Sequence, residues 1–250
     1  MDQSESGLPI AVDMDGTLTE PRKVIKNNII PALRELCKIT EIGIVTGSDY
    51  DYVRQQIGTL LENTELRYRI HILPCNGTKY YPPPQAATHS HQLAFEKNMR
   101  EELGELGFTT IMRHILQRQA QLHLYNIPLT GHFVDYRGSM INWCPIGRIA
   151  NLEQRAAWKK LDTSYGIREE YMSQLQKVFS SIGKDICVAL GGSTSFDIYP
   201  AGWDKTYVMK HLDDYDRVYF VGDKCKEGGN DKALYDLLAP EGRSFETTSP

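Results

Sequence analysis

Two carboxylates one residue apart, Asp13 and Asp15, follow the apolar run Pro9-Ile10-Ala11-Val12 and precede Gly16-Thr17-Leu18-Thr19. The apolar run reads as a buried parallel strand ending at Asp13. Paired acids at a strand's carboxyl end suit phosphoryl transfer: Asp13 attacks phosphorus, Asp15 moves the proton, and Mg²⁺ lies between them. Taken alone, the same residues also describe an Asp-rich turn, since Asp-Gly pairs form turns readily. Three further groups bear on the choice. Thr46-Gly47-Ser48-Asp49 offers a hydroxyl and backbone N–H groups to a phosphate, or an ordinary helix N-cap. Lys205 can neutralise a phosphoryl group, or it is a solvated surface charge. Gly222-Asp223 with Gly228-Gly229-Asn230-Asp231 is an acidic, Gly-rich loop that supplies hard oxygen ligands to Mg²⁺, or merely turns and caps a helix. In an open parallel sheet all four can converge, because ligands bind outside the carboxyl ends of the strands.

The elements that must position them alternate at the start of the chain. A helix is predicted over Asn28–Lys38, with Pro31 in its first turn, then a buried strand at Glu41–Val45 and a helix at Asp51–Leu61. Arg69–Leu73 reads as a third strand. Strands alternating with helices predict a parallel sheet covered on both faces. Pro82-Pro83-Pro84 is a stiff linker and a predicted boundary. Beyond it the spacing predicts helices over Leu93–Leu106 and Thr110–Tyr125, then a hairpin of His132–Tyr136 and Met140–Cys144 about Arg137-Gly138-Ser139. Helices over Leu152–Leu161 and Arg168–Ile182 and strands at Ile186–Leu190 and Ser195–Tyr199 follow. Helices set apart from neighbouring antiparallel strands predict an α+β insert. The alternating pattern resumes with a short helix capped by Asp204, the strand Val218–Val221 and a helix over Asn230–Leu238. The expected fold is α/β: a discontinuous Rossmann-like core, residues 1–82 and 190–250, holding an inserted α+β domain with an antiparallel sheet, residues 83–189.

Composition excludes several classes. A net charge of -4 argues against general nucleic-acid binding. No apolar run approaches the roughly 18 to 20 residues of a membrane span. The polar, acidic start Met1-Asp2-Gln3-Ser4-Glu5-Ser6 is unlike a secretory or transit peptide. Five scattered cysteines with no Cys-x-x-Cys spacing predict reduced thiols in a cytoplasm and no zinc site.

Asp13-x-Asp15-Gly16-Thr17, then Thr46 and Ser48, then Lys205, then Gly222-Asp223 with Asn230-Asp231, resemble in type and order the motifs of the haloacid dehalogenase superfamily. More narrowly, nearly the whole chain resembles the eukaryotic-type phosphomannomutases. The likeness runs through Asp13–Arg22, Gly43–Asp49, the stretch Arg137-Gly138-Ser139-Met140-Ile141-Asn142-Trp143-Cys144-Pro145-Ile146-Gly147-Arg148, Gly191–Lys205 and Gly222–Asp231. The resemblance implies a covalent aspartyl-phosphate on Asp13, Asp15 as general acid/base, Lys205 beside them, and Mg²⁺ held by Asp13, Asp15 and Asp223. It makes the insert a cap. There Arg137, Arg148 and Arg155 clamp the distal phosphate, Ser195 and Asp197 contact the sugar, and Arg22 and Ser48 serve the core phosphate site. Guanidinium forks suit the clamp because they bind phosphate oxygens bidentately and stay charged.

The implied reaction interconverts mannose 6-phosphate and mannose 1-phosphate through a hexose 1,6-bisphosphate, which also serves as activator. Cap closure about the proline linker would keep water from the phospho-enzyme. The family further implies a homodimer paired through the cap, small hexose phosphates as ligands, and a contribution to GDP-mannose synthesis. The alternative is a sugar-phosphate phosphatase of the same superfamily, with water as acceptor. A non-catalytic sugar-phosphate binder is the rival of a different class, and the intact Asp13, Asp15, Lys205 and Asp223 set weighs against it. Some positions depart from the family pattern. Cys75 stands where Glu usually precedes Asn-Gly, Thr46 stands where Gly is commoner, and the stretch Asp236–Ala239 lacks the acidic residue of a second cation loop. Ser249-Pro250 reads as the start of a helix into which family members continue.

Overall fold

The computed structural model describes residues 9–86, 89–122, 127–181, 185–215 and 217–250. The expected N-terminal peptide and the ends of two expected helices, at Tyr125 and Ile182, lie outside the described residues. The chain divides into two compact units, residues 1–96 with 202–250 and residues 97–201.

The first unit is built on five parallel strands: β1 (Ile10–Asp13), β2 (Ile42–Val45), β3 (Ile70–Leu73), β10 (Tyr219–Gly222) and β11 (Ser244–Glu246), in the order β11-β10-β1-β2-β3. β1 is central, so its run is buried on both faces, and Asp13 at its carboxyl end is buried too. Helices α1 (Ile30–Cys37), α2 (Tyr50–Asn63) and α6 (Lys232–Leu238) accompany the sheet. In α2 the residues Val53, Ile57, Leu60 and Leu61 recur at helical spacing and are almost wholly buried, while Asp51, Arg54 and Gln55 face solvent. Each such aliphatic side chain contributes ~1.5–3 kcal/mol by leaving water, which fixes the rotation of the helix. Asp49 caps it by accepting from the Tyr52 N–H at 3.1 Å. That rotation and that cap bring Tyr52 and Gln56 to the carboxyl end of β1.

Lys79–Tyr80 (β4) pairs with Phe95–Glu96 (β5), and Tyr81 bridges to Ile72 of β3. The sequence boundary at 82/83 is therefore displaced to 96/97, since this hairpin ties the segment after the prolines to the first unit. The helix expected from Leu93 begins instead at Met99, where Asn98 caps it.

The second unit contains α3 (Met99–Gln121), bent where Gly104 takes φ +72°, together with α4 (Leu152–Tyr165) and α5 (Ile167–Phe179). Its four-stranded antiparallel sheet has the order β6-β7-β9-β8, from β6 (Val134–Tyr136), β7 (Ile141–Trp143), β8 (Ile186–Gly191) and β9 (Ser195–Pro200). β8 and β9 pair along their full length, from Ile186 with Pro200 to Gly191 with Ser195. A boundary at 189/190 would cut that hairpin, so the second unit runs on to Ala201. Among the described residues, no helix is long and apolar enough to cross a membrane.

Candidate active site

In the first unit, the strand end of β1 and a short 3₁₀ turn meet over a buried ammonium. The turn, Lys205–His211, is capped by Asp204, which accepts from the Thr206 N–H at 2.8 Å. Lys205 is wholly buried and donates to Asp13 Oδ1 and Asp231 Oδ1. Burial pulls the Lys205 pKa down, but the two carboxylates outweigh it and hold the ammonium well above its ordinary value. Asp13 is pushed up to about 7, chiefly by desolvation and by its acidic neighbours, against the pull of Lys205. Asp231 also suffers desolvation, yet Lys205 and the backbone N–H of Lys224 hold it below the usual carboxylate range. One ammonium thus serves two acids.

Asp223 completes an acidic cluster. Asp13, Asp223 and Asp231 each offer an oxygen within 4.8 Å of the others. The two oxygens of Asp231 are engaged: Oδ1 by Lys205, Oδ2 by the N–H groups of Asp223 and Lys224 at 3.1 and 2.9 Å. Asp223 Oδ1 is buried without a hydrogen-bond partner, and so is the Thr17 hydroxyl. Burial pushes the Asp223 pKa upward. A buried carboxylate oxygen with no donor calls for a cation, and a set of hard carboxylate oxygens suits a divalent one such as Mg²⁺. Gly16 makes room for this arrangement. It sits at φ +101°, and a Cβ there would lie 2.3 Å from Asp223 Oδ2.

The Asp15 side chain lies outside this cluster, beside it just past the end of β1. Its Oδ1 accepts from the Tyr52 hydroxyl at 3.1 Å and from Gln56 Nε2 at 2.9 Å. These two donors fill one oxygen, Oδ1, and Asp231 is the third acid of the cluster with Asp13 and Asp223. Burial first, and then the Asp15 charge, push Tyr52 up to about 12, so the phenol stays protonated and donates. The Arg22 backbone N–H and its positive charge act on the same phenol in the opposite sense. Arg22 itself is exposed and takes a left-handed φ of +66°. Ser48 lies just past β2, where its N–H donates to Thr46 Oγ1 at 3.1 Å and its carbonyl accepts from the Cys75 N–H at 2.8 Å.

In the second unit, the expected residues gather on the β6-β7-β9 face and on α4. Arg137 Nε lies 3.1 Å and Arg148 Nε 3.5 Å from the same oxygen, Asp135 Oδ2. Arg148 also donates to Asn142 Oδ1 at 2.7 Å, and Asn142 Nδ2 donates to Asp197 Oδ1 at 2.7 Å. Asp197 rests against Gly191, where a Cβ would approach its Oδ2 to 2.8 Å. Arg155, near the start of α4, donates to the carbonyls of Ala150 and Arg148 and to Thr194 Oγ1. It thereby fixes the loop that carries Arg148. Ser195, buried, opens β9 two residues before Asp197, so both share one strand face.

In the sequence Asp231 has only a place in the acidic Gly-rich loop, and Tyr52, Gln56, Asp135 and Asn142 have no role. The signal for Asp135 and Asn142 lies in the predicted hairpin, whose strands put them opposite one another beside the turn that carries Arg137. Asp231 lay within the quoted Gly-rich loop, but nothing local distinguishes it from a helix cap.

A family model described as eukaryotic phosphomannomutase matches residues 29–250. A phosphomannomutase of Glycine max is 33% identical over 245 residues, covering 98% of this chain and 92% of the relative. Phosphomannomutase 1 of Dictyostelium discoideum is 35% identical over 243 residues, covering 95% of this chain and 90% of the relative. Among solved structures, an IMP-bound, N-terminally truncated IMP-nucleotidase of Plasmodium falciparum superposes with a TM-score of 0.61 at 13% identity, over 98% of this chain and 66% of that one. This chain spans about two thirds of the nucleotidase's length. A trehalose-6-phosphate phosphatase of Aspergillus fumigatus gives 0.50 at 15% identity, over 96% and 81%. At such identities the likeness is one of fold, the haloacid dehalogenase type. With a family model matching residues 29–250 and a relative 33% identical covering 98% of its length, the chain belongs to the eukaryotic phosphomannomutase family.

Proposed function

We propose that this chain interconverts mannose 6-phosphate and mannose 1-phosphate, an intramolecular phosphotransfer in which Asp13 relays the phosphoryl group. The observation that carries the mutase reading is the pair of guanidinium groups, Arg137 and Arg148, drawn to one carboxylate in the second unit. A phosphatase needs one phosphate site, whereas a mutase must hold the phosphate that is not reacting. Two fork-like cations suit that task.

A hexose 1,6-bisphosphate first phosphorylates Asp13. The carboxylate oxygen bonds to phosphorus as the sugar oxygen leaves, and Asp15 protonates that oxygen. The monophosphate then presents its free hydroxyl to phospho-Asp13. Asp15 accepts the hydroxyl proton, the new oxygen–phosphorus bond forms, and the electron pair of the breaking bond returns to Asp13. Lys205 offsets charge at Asp13 throughout. Asp13 and Asp223, steadied by Asp231, would hold Mg²⁺, which supplies charge stabilisation to the transferring group. Arg137, Arg148 and Arg155 bind the distal phosphate, Ser195 and Asp197 the sugar hydroxyls, and Arg22 and Ser48 the reacting phosphate.

The same reading makes the enzyme a cytoplasmic homodimer paired through its second unit and a contributor to GDP-mannose synthesis. The test is incubation of mannose 1-phosphate with Mg²⁺ and glucose 1,6-bisphosphate. Mannose 6-phosphate as the product supports the mutase, whereas stoichiometric free phosphate in its place overturns it.

A further inference from the structure

We infer that Tyr52 is a positioning residue for the proton-transfer step, and that with Gln56 it selects which oxygen of Asp15 carries the proton. This rests on the proposed role of Asp15 as general acid/base. Tyr52 and Gln56 are four apart on α2, hence on one helix face. Both address the same atom, Asp15 Oδ1, at 3.1 and 2.9 Å. A carboxylate oxygen has two lone-pair directions, so Oδ1 is filled and Oδ2 is the oxygen left to exchange a proton. The carboxylate plane is thereby fixed as well.

The orientation of the Gln56 amide follows from its two neighbours. A carboxylate only accepts, so Gln56 must turn its Nε2 to Asp15 and its Oε1 to Thr19. The Thr19 hydroxyl lies within reach of both Gln56 Oε1 and the Met14 carbonyl, at 3.1 Å from the latter. It has a single proton, which this orientation directs to Gln56. Tyr52 is fixed independently, its own N–H being held by the Asp49 cap. Thr19 therefore donates to Gln56 and Gln56 to Asp15, while Tyr52 donates to the same Asp15 oxygen from the other side, so two independently held donors converge on Oδ1. In the transfer step, the sugar hydroxyl proton passes to Asp15 Oδ2 as its oxygen bonds to phosphorus and the bond to Asp13 breaks. No oxidant or further reactant is required.

The test is Tyr52→Phe, which removes one hydroxyl and keeps the ring that packs against the core. Steady-state kinetics should show kcat lowered about tenfold, a part of the roughly 10²–10⁴-fold that a positioned acid/base supplies, with KM and the melting temperature unchanged. Gln56→Met, which removes the donor without placing a charge beside Asp15, should lower kcat in the same way. In an Asp15→Ala background, Tyr52→Phe should lower the residual single-turnover rate no further, because the two act as one unit. Wild-type kcat in Tyr52→Phe, or an equal loss with and without Asp15, overturns the inference. The underlying reading is tested separately by Asp15→Ala alone: wild-type turnover there removes the acid/base role and the inference with it.

Discussion

Lys205 and Asp13 are 192 positions apart, yet the buried ammonium of one donates to the buried carboxylate of the other. The contact exists because the chain leaves the first unit after β5 and returns at residue 202, so that β1 and the 3₁₀ turn come from opposite ends of the sequence. A buried cation shared by two buried acids is costly to form and costlier to break.

Lys205→Ala leaves Asp13 and Asp231 buried without their common partner. Removing one member of a buried pair costs about 3–5 kcal/mol. Chemical denaturation should therefore show a clear loss of stability together with loss of turnover. An unchanged unfolding midpoint would contradict the geometry around Asp13.

Asp223→Asn takes charge from the acid whose Oδ1 is buried without a donor. Mg²⁺ should then support activity only at concentrations raised by about tenfold or more, as read from a metal titration. Gly16→Ala should act more severely, since its Cβ would displace the Asp223 carboxylate and its φ of +101° is strained for any side chain. Wild-type Mg²⁺ dependence in both variants would remove Asp223 from the cation site.

Arg148→Ala should raise KM for hexose phosphates by about 10–100-fold while lowering kcat less, the pattern of lost binding to the distal phosphate. Asp135→Asn frees Arg137 and Arg148 from their shared oxygen, and should raise KM by a smaller factor. If Arg148→Ala keeps the wild-type KM, the clamp is not where we propose it.

Glu41 gives a pH signature remote from the site. The His71 ring donates to it, the Tyr215 hydroxyl adds a second bond, and together they hold its carboxyl below the usual range. Because the folded pKa is depressed, its contribution is present above the unfolded value of 4.5 and is lost as pH falls through the folded value. Melting temperatures of wild type and Glu41→Gln should differ near neutral pH and converge in acid. A constant difference down to the most acid folded state would contradict the linkage.

The extent to which the sequence could be read depended on the distance over which each feature is determined. The apolar run before Asp13, the run Val218–Val221, the Asp204 cap and the hairpin about Arg137 are local patterns, and each appears in the structure within a residue or two of its expected place. Phe95–Glu96 was read as helix because two residues carry no period, and only their pairing with Lys79–Tyr80 makes them a strand. The Asp13-x-Asp15 spacing and the family resemblance put Asp15 beside the cation. The spacing does not register Tyr52 and Gln56, 37 and 41 positions away, which both donate to Asp15 Oδ1. Asp231 was legible as part of a motif, but not as the second acid on Lys205. That relation depends on how β10 and the turn at Lys205 pack, which no local pattern encodes.

The most direct test of the central claim is to incubate the enzyme with glucose 1,6-bisphosphate, quench it, and map the acid-stable phosphopeptides by mass spectrometry while mannose 6-phosphate formation is followed in parallel. A phosphoryl group should be found on Asp13 and should disappear when mannose 1-phosphate is added, with mannose 6-phosphate formed in its place. Isomerisation at the wild-type rate with Asp13 unmodified, or in an Asp13→Ala variant, would contradict it.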